Sequence, residues 1–277
     1  SYGGTEITLE GIFTMTGDIF GGSNSTTVGS GKVNGSSTIL LNSTSSVVTG
    51  NVYGGSNGII NNGSINLNNG LITGSSSIKL NAGKVTGDIY GGGNNCGIVN
   101  TADITINNGT VLGTIYGGAY QNQVQGRSII KVYGGTVNDI YGGNILTGVS
   151  QQMGDTTNQE IKITIGDENA TTTPTVKGDI YGGGKFDKIE NSVIQLIKCS
   201  TKPTVYGGSY SSGVTNKSRI YLMGMTVSTI YGGSNVGGNV TSANIYLQSG
   251  TVTDVYGGGY GGKGTEAGIT LEGTATV

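Results

Sequence analysis

Five aspartates, Asp18, Asp88, Asp139, Asp179 and Asp254, each stand two residues before a recurring aromatic-Gly-Gly phrase. Carboxylates repeated at one place in a repeat stack into a column. Such a column could bind Ca²⁺ through its oxygens or supply the acid and base of a polysaccharide hydrolase or lyase. Other copies of the phrase, however, carry Asn51, Thr114, Thr204 or Thr229 at this position. Asp, Asn and Thr share a short side chain that caps turns, so capping is the expected role. Gly54-Gly55-Ser56-Asn57-Gly58 matches a nucleophile elbow, but the chain has no histidine to act as base. Gly257-Gly258-Gly259-Tyr260-Gly261-Gly262 matches G-x-G-x-x-G, which binds phosphate only where a helix follows. Cys96 and Cys199 lie about four repeats apart, too far for a disulfide if repeats stack at roughly 4.8 Å, and zinc is not expected because His is absent and the two cysteines are isolated. No catalytic, metal or cofactor site is expected, and the chain reads as non-enzymatic.

The elements that position these residues come from the repeat. Tyr2, Phe20, Tyr53, Tyr90, Tyr116, Tyr141, Tyr181, Tyr206, Tyr231 and Tyr256 each open an aromatic-Gly-Gly anchor, at intervals of 18, 33, 37, 26, 25, 40, 25, 25 and 25 residues. A period near 25 is the mark of a solenoid or array. Upstream of the anchors run short alternating segments such as Ile39-Leu40-Leu41, Ile78-Lys79-Leu80, Ile104-Thr105-Ile106 and Ile245-Tyr246-Leu247. Period-two alternation with β-branched residues predicts strands, and no segment carries a helical period. Turns follow at Asn68-Asn69-Gly70, Asn107-Asn108-Gly109 and Gln248-Ser249-Gly250, and a second strand then runs into the anchor. A third apolar patch falls about eight residues past the aromatic, at Val28, Ile98, Val124, Ile189 and Val214, with Ile60 and Val240 one place off. The expected fold is therefore all-β: one domain over 1–277, a right-handed parallel β-solenoid of roughly ten triangular coils.

Two intervals depart from the period. An extra half unit is expected at Ile65-Asn66-Leu67 with Leu71-Ile72, and loops are expected to leave the coil at 144–160 and 167–174. Four residues past the anchor stand Asn24, Asn57, Asn94 and Asn235, or Tyr120, Tyr210 and Tyr260, and stacked Asn can form amide ladders. The anchor rings themselves admit two readings. Alternation turns them outward as an aromatic strip for glycan or protein contact, whereas a sharp corner turns them into the core.

Composition fits a rigid repeat. Glycine makes up 55 of 277 residues and proline only 2, which excludes collagen, and charged residues are only 11%. A net charge of −2 gives no basis for nucleic-acid binding, and no apolar run is long enough to span a bilayer.

Strand, Asn-Gly turn, strand and Tyr-Gly-Gly, repeated in a Gly/Asn/Thr-rich chain, resemble the adhesin-like and surface-fibre β-solenoids of bacteria. That resemblance implies secretion to the exterior or cell surface and a structural or adhesive role, with glycan or a host-surface ligand as a further partner. Eight N-x-S/T sites would burden a eukaryotic secreted chain with glycans, which agrees with a bacterial source. Thr14-Met15-Thr16, Thr251-Val252-Thr253 and Thr274-Ala275-Thr276 also resemble the threonine arrays of ice-binding solenoids, but other coils interrupt the array. The chain begins inside one repeat and stops inside another, and Thr274–Val277 followed by Ser1–Gly4 of a second copy reads TATVSYGG against the internal TVTDVYGG. Head-to-tail assembly of identical copies is the expectation, through Tyr2, Ile7, Leu9, Ile269, Leu271, Thr274 and Thr276.

Overall fold

The computed structural model describes residues 3–25, 30–58, 69–95, 99–121, 124, 126–145, 160–186, 189–211, 215–237, 240–261 and 264–276, the side chains of 215–216 and 264–276 excepted. Among them every named strand pairs in parallel, in one 17-stranded and one 6-stranded sheet, with no helix. The chain is a parallel β-solenoid.

The first side of each coil is its longest strand: Thr5–Leu9, Ser37–Leu41, Ser76–Leu80, Ala102–Ile106, Ser128–Val132, Glu160–Ile165, Ile189–Leu196, and the opening segments of Thr215–Tyr231, Val240–Tyr256 and Gly264–Thr276. Register is set by like on like. Ile7, Ile39, Ile78, Ile104, Ile130, Ile163, Ile194, Ile220, Ile245 and Ile269 form one unbroken ladder. A slip by one residue would turn this whole column to solvent, so the alternation read in the sequence fixes the pairing. The internal members from Ile39 to Ile245 are buried, and each contributes about 1.5–3 kcal/mol.

A glycine with positive φ, such as Gly109 at 96°, turns the chain into a two-residue second side. There Val48, Val85, Val111, Val137, Val176, Val227 and Val252 face inward. The small sheet runs from Thr14–Met15 to Thr175–Val176. In the next coil Pro203 occupies this side, and a residue without an N–H cannot continue the ladder. A second short strand, as in Ile89–Tyr90 or Ile140–Tyr141, then brings one more aliphatic inward and ends at the double glycine.

The third side is real but irregular. Val124, Ile189 and Val240 are buried as the spacing predicts, while Val28, Ile60, Ile98 and Val214 lie outside the described residues. The structure adds Val33, which bridges to Ile72, and Val99, which bridges to Val124. Leu71-Ile72 is thus an ordinary third-side pairing and not part of an extra half unit; Gly70 turns the chain toward it. Ile65–Leu67 lie outside the described residues. The bounds of the first loop also need correction. The Asn144 amide oxygen accepts the Ala119 N–H at 2.6 Å, Ile145 packs on the aromatic column, and Glu160 opens a strand, so all three belong to the coil. Residues 146–159 are not described. In the second loop 168–169 and 171–173 are exposed, yet the Thr172 hydroxyl donates to the Tyr133 carbonyl at 3.0 Å, and Pro174 lies in the coil, its carbonyl accepting the Ser200 N–H at 2.9 Å.

Ile230 is fully buried, whereas Val255 is only partly so. Replacing Ile230 by Asp should unfold neighbouring coils together, because a buried unpaired charge costs several kcal/mol and coils are stabilised by their neighbours. Val255→Asp should lower the melting temperature less; equal melting temperatures for Ile230→Asp and wild type by circular dichroism would show that this side chain does not face the core.

Candidate functional site

The residues singled out for their chemistry converge on the corner that carries the anchor. Phe20, Tyr53, Tyr90, Tyr116, Tyr141, Tyr181, Tyr206, Tyr231 and Tyr256 form one continuous stack, with ring centroids 4.5–5.2 Å apart and planes within 14° of parallel. Even across the 40-residue interval from Tyr141 to Tyr181 the rings lie 4.5 Å apart, so the stack continues unbroken. Tyr2 lies outside the described residues.

Neither reading of the anchor rings holds as it stood. Each Tyr follows an inward-facing Ile or Val and so points away from the aliphatic core, as alternation requires. Yet Tyr53, Tyr90, Tyr116, Tyr141, Tyr181 and Tyr206 are only 2–7% exposed. They form a second apolar cluster, separate from the first, covered by residues four past the anchor. Tyr120, Tyr210 and Tyr260 fold back edge-on against Tyr90, Tyr181 and Tyr231 at 5.7–5.8 Å. Of the Asn residues at the same offset, three form the expected amide ladder, Asn94 to Asn57 at 3.2 Å and Asn57 to Asn24 at 3.0 Å, each Nδ2 donating to the next Oδ1, while Asn235 donates to the Tyr181 hydroxyl at 3.2 Å. A second ladder, Asn107 to Asn81 to Asn42, lines the corner after the first side.

The acidic column borders the stack and caps backbone. Asp18 Oδ1 accepts the Asn51 N–H at 2.7 Å, Asn51 Oδ1 that of Asp88 at 2.8 Å, Asp88 Oδ1 that of Thr114 at 2.7 Å, and Asp139 Oδ1 that of Asp179 at 2.8 Å. Asn performs the same task as Asp, which explains why the position tolerates both. The second carboxylate oxygen turns to the rings: the Tyr90 hydroxyl donates to Asp88 Oδ2 at 2.9 Å and the Tyr181 hydroxyl to Asp179 Oδ2 at 3.2 Å. Desolvation first, and then the Asp139 charge, raises the pKa of the Asp179 carboxyl. Burial likewise holds the phenols of Tyr90, Tyr116, Tyr141 and Tyr181 well above their ordinary range, with nearby aspartates or stacked tyrosines adding to the effect. Among the described residues no three His, Cys, Asp or Glu side chains gather as a metal site.

The two motif matches resolve structurally. Ser56 is fully buried and its Oγ accepts the Ser23 N–H at 3.0 Å, so it is a contact between coils. The G-x-G-x-x-G match is followed by the strand Gly264–Thr276 and not by a helix. On the threonine face, Thr110, Thr136 and Thr175 lie in register, but Lys84 and Val47 share their column and interrupt it. The residues proposed for assembly sit at opposite ends of the large sheet. Ile7 and Leu9 pair with Ile39 and Leu41; Ile269, Leu271, Thr274 and Thr276 pair with Ile245, Leu247, Ser249 and Thr251.

Sequence reasoning missed a column of small residues two places before the first-side Ile. The hydroxyls of Ser37, Ser76, Ser192 and Ser218 cross the coil and donate to the carbonyls of Gly54, Gly91, Gly207 and Gly232 at 2.5–2.7 Å. The first glycine of the anchors from Phe20 to Tyr231 makes room for this. A Cβ on Gly91, for example, would collide with the Gly117 carbonyl and with Ala102. The signal was present as Ser, Ser, Ala, Ser, Ser and Ala at 37, 76, 102, 128, 218 and 243.

No family model, curated protein or solved structure matches the chain.

Ser128 tests the serine column from within, because it is fully buried and its hydroxyl has no hydrogen-bond partner. Ser76→Ala and Ser192→Ala should each cost about 1 kcal/mol, whereas Ser128→Ala should be neutral or stabilising, since an unmade bond is removed along with its desolvation penalty. Denaturant melts of the three variants decide this; equal losses at all three positions would show that the hydroxyls are not what closes the coil.

Proposed function

We propose that this chain is a structural module of an extracellular fibre or surface appendage, in which identical copies extend one another head to tail. The observation that carries the reading is that growth by like on like is built into every coil. The Ile ladder, the Leu9-to-Leu271 ladder and the aromatic column repeat in register through successive coils. A coil that accepts its own kind on one face offers the same surface on the other. Such a heterologous contact does not close on itself and yields filaments. The groups that could have done chemistry support this reading, since Asp18, Asp88 and Asp139 tie one coil's carboxylate to the next coil's backbone. The extracellular setting rests on the resemblance of the repeat to bacterial surface solenoids.

A second reading, an adhesin stalk that binds glycan or a host-surface ligand, rests on the same resemblance to bacterial surface solenoids.

Electron microscopy across a concentration series separates the two. The fibre reading expects filaments from the wild-type chain, shortened or lost when Ile7→Lys places a charge at the end of the Ile ladder without disturbing inner coils. A wild-type chain that stays monomeric at every concentration while retaining a glycan would instead establish the adhesin.

A further inference from the structure

The aromatic column carries a feature that a purely mechanical stack does not need. Two of its rings, Tyr90 and Tyr181, donate their phenolic hydrogens to the carboxylates of Asp88 and Asp179, while their faces lie against neighbouring rings on both sides. Between these two sites the ring-to-ring steps are 5.1, 5.2 and 4.5 Å through Tyr116 and Tyr141. Nearly parallel aromatic rings with centroids about 5 Å apart form a continuous path for electron tunnelling. Loss of an electron makes a phenol strongly acidic, so oxidation of a buried tyrosine proceeds only where a base stands ready to accept its proton.

We propose that the column is a one-electron relay along the solenoid axis, in which Tyr90 and Tyr181 are resting points and the stacked rings between them are the bridge. The oxidant is a high-potential one-electron acceptor, such as an oxidised metal centre, at one end. It takes an electron from the column; Tyr181 becomes a neutral tyrosyl radical as its phenolic proton passes to Asp179 Oδ2, leaving a carboxylic acid. An electron supplied through Tyr141 and Tyr116 from Tyr90 then refills Tyr181, which recovers its proton from Asp179, while Tyr90 passes its own proton to Asp88. A one-electron donor at the far end, an enediol or thiolate reductant, restores Tyr90, which takes its proton back from Asp88. The net change is one electron moved from donor to acceptor, with each proton shuttling between a phenol and its own aspartate. Burial suits this use: with Tyr90 and Tyr181 only 2% and 3% exposed, their rings are shielded from solutes that quench radicals. Tyr260, edge-on to Tyr231 at 5.7 Å, touches the column from beside the stack.

The test uses the absence of tryptophan from the chain. A ruthenium polypyridyl photosensitiser is attached through Tyr260→Cys in a chain carrying Cys96→Ser and Cys199→Ser, and Phe20→Trp provides a distinct reporter at the other end of the stack. Flash-quench oxidation followed by electron paramagnetic resonance should show a tryptophan radical. Its yield per folded molecule should fall at least tenfold in the Asp88→Asn/Asp179→Asn double variant, which keeps a backbone-capping oxygen but removes both bases. It should fall comparably in Tyr141→Phe, which keeps the ring stack but raises the bridge. Tyr221→Phe, in the stacked pair with Tyr246 on the first side, should leave it unchanged. Absence of the tryptophan radical in the parent chain, or equal yields in parent and double variant, would overturn the relay.

Discussion

Everything in this fold depends on the approach of one coil to the next at the aromatic-Gly-Gly corner. Stacked rings need a spacing near 5 Å, parallel strands need about 4.8 Å, and the two requirements coincide only if nothing at the corner holds the backbones apart. The first glycine meets that condition, since a side chain there would strike the next coil's carbonyl and the first-side strand. The corner N–H groups, such as those of Gly91 and Gly117, then bond to the carbonyls of the next tyrosine along, Tyr116 and Tyr141. Stacking, hydrogen bonding and the small first-side residue thus enforce one geometry, and none can be altered alone.

The consequence is a molecule with two parallel cores. The aliphatic core fills the interior of the coils, and the aromatic core runs along one outer edge under its own cover. Each aromatic pair contributes about 0.5–1.5 kcal/mol beyond its buried area, so the column supplements the Ile, Val and Leu ladders rather than replacing them. Because both cores are sums over neighbouring coils, stability is set by nearest-neighbour terms, and long insertions such as the one between Tyr141 and Tyr181 are tolerated wherever they leave the corner intact.

Much of this was legible in the residues. Alternation in Ile39-Leu40-Leu41 and its counterparts gave strands and faces, the 25-residue period gave coils, and mixed Asp, Asn and Thr before the anchor gave a cap instead of a charge. The environment of the tyrosines was not legible. Alternation told only that they leave the aliphatic core; what covers them, the ring of Tyr120 or Tyr210, comes from the following coil and depends on how the chain folds back after the double glycine. The serine column was hidden for a similar reason, because its meaning lies in a carbonyl 14 to 17 residues downstream. The third side was legible only in part: Val124, Ile189 and Val240 fall where the spacing expects them, but only pairing between coils identifies Val33 with Ile72.

The central claim, that the tyrosine column is a buried, continuous core holding the coils in register, is most directly tested by alkaline titration of the chain with ¹³C at tyrosine Cζ, observed by nuclear magnetic resonance. Burial first, and then a nearby aspartate charge, pushes the phenols of Tyr53 and Tyr206 up to about 12, and holds those of Tyr90, Tyr116, Tyr141 and Tyr181 up as well. The native state therefore keeps protons that the unfolded chain releases near pH 10, so the stability these phenols contribute is complete below that value and is lost as pH rises above it. The account predicts that all six resonances remain phenolic past pH 10, that those of Tyr53 and Tyr206 shift near pH 12, and that the other four shift later or together with loss of the strand signal. Ionisation of any of the six near pH 10 in a chain that stays folded would contradict it.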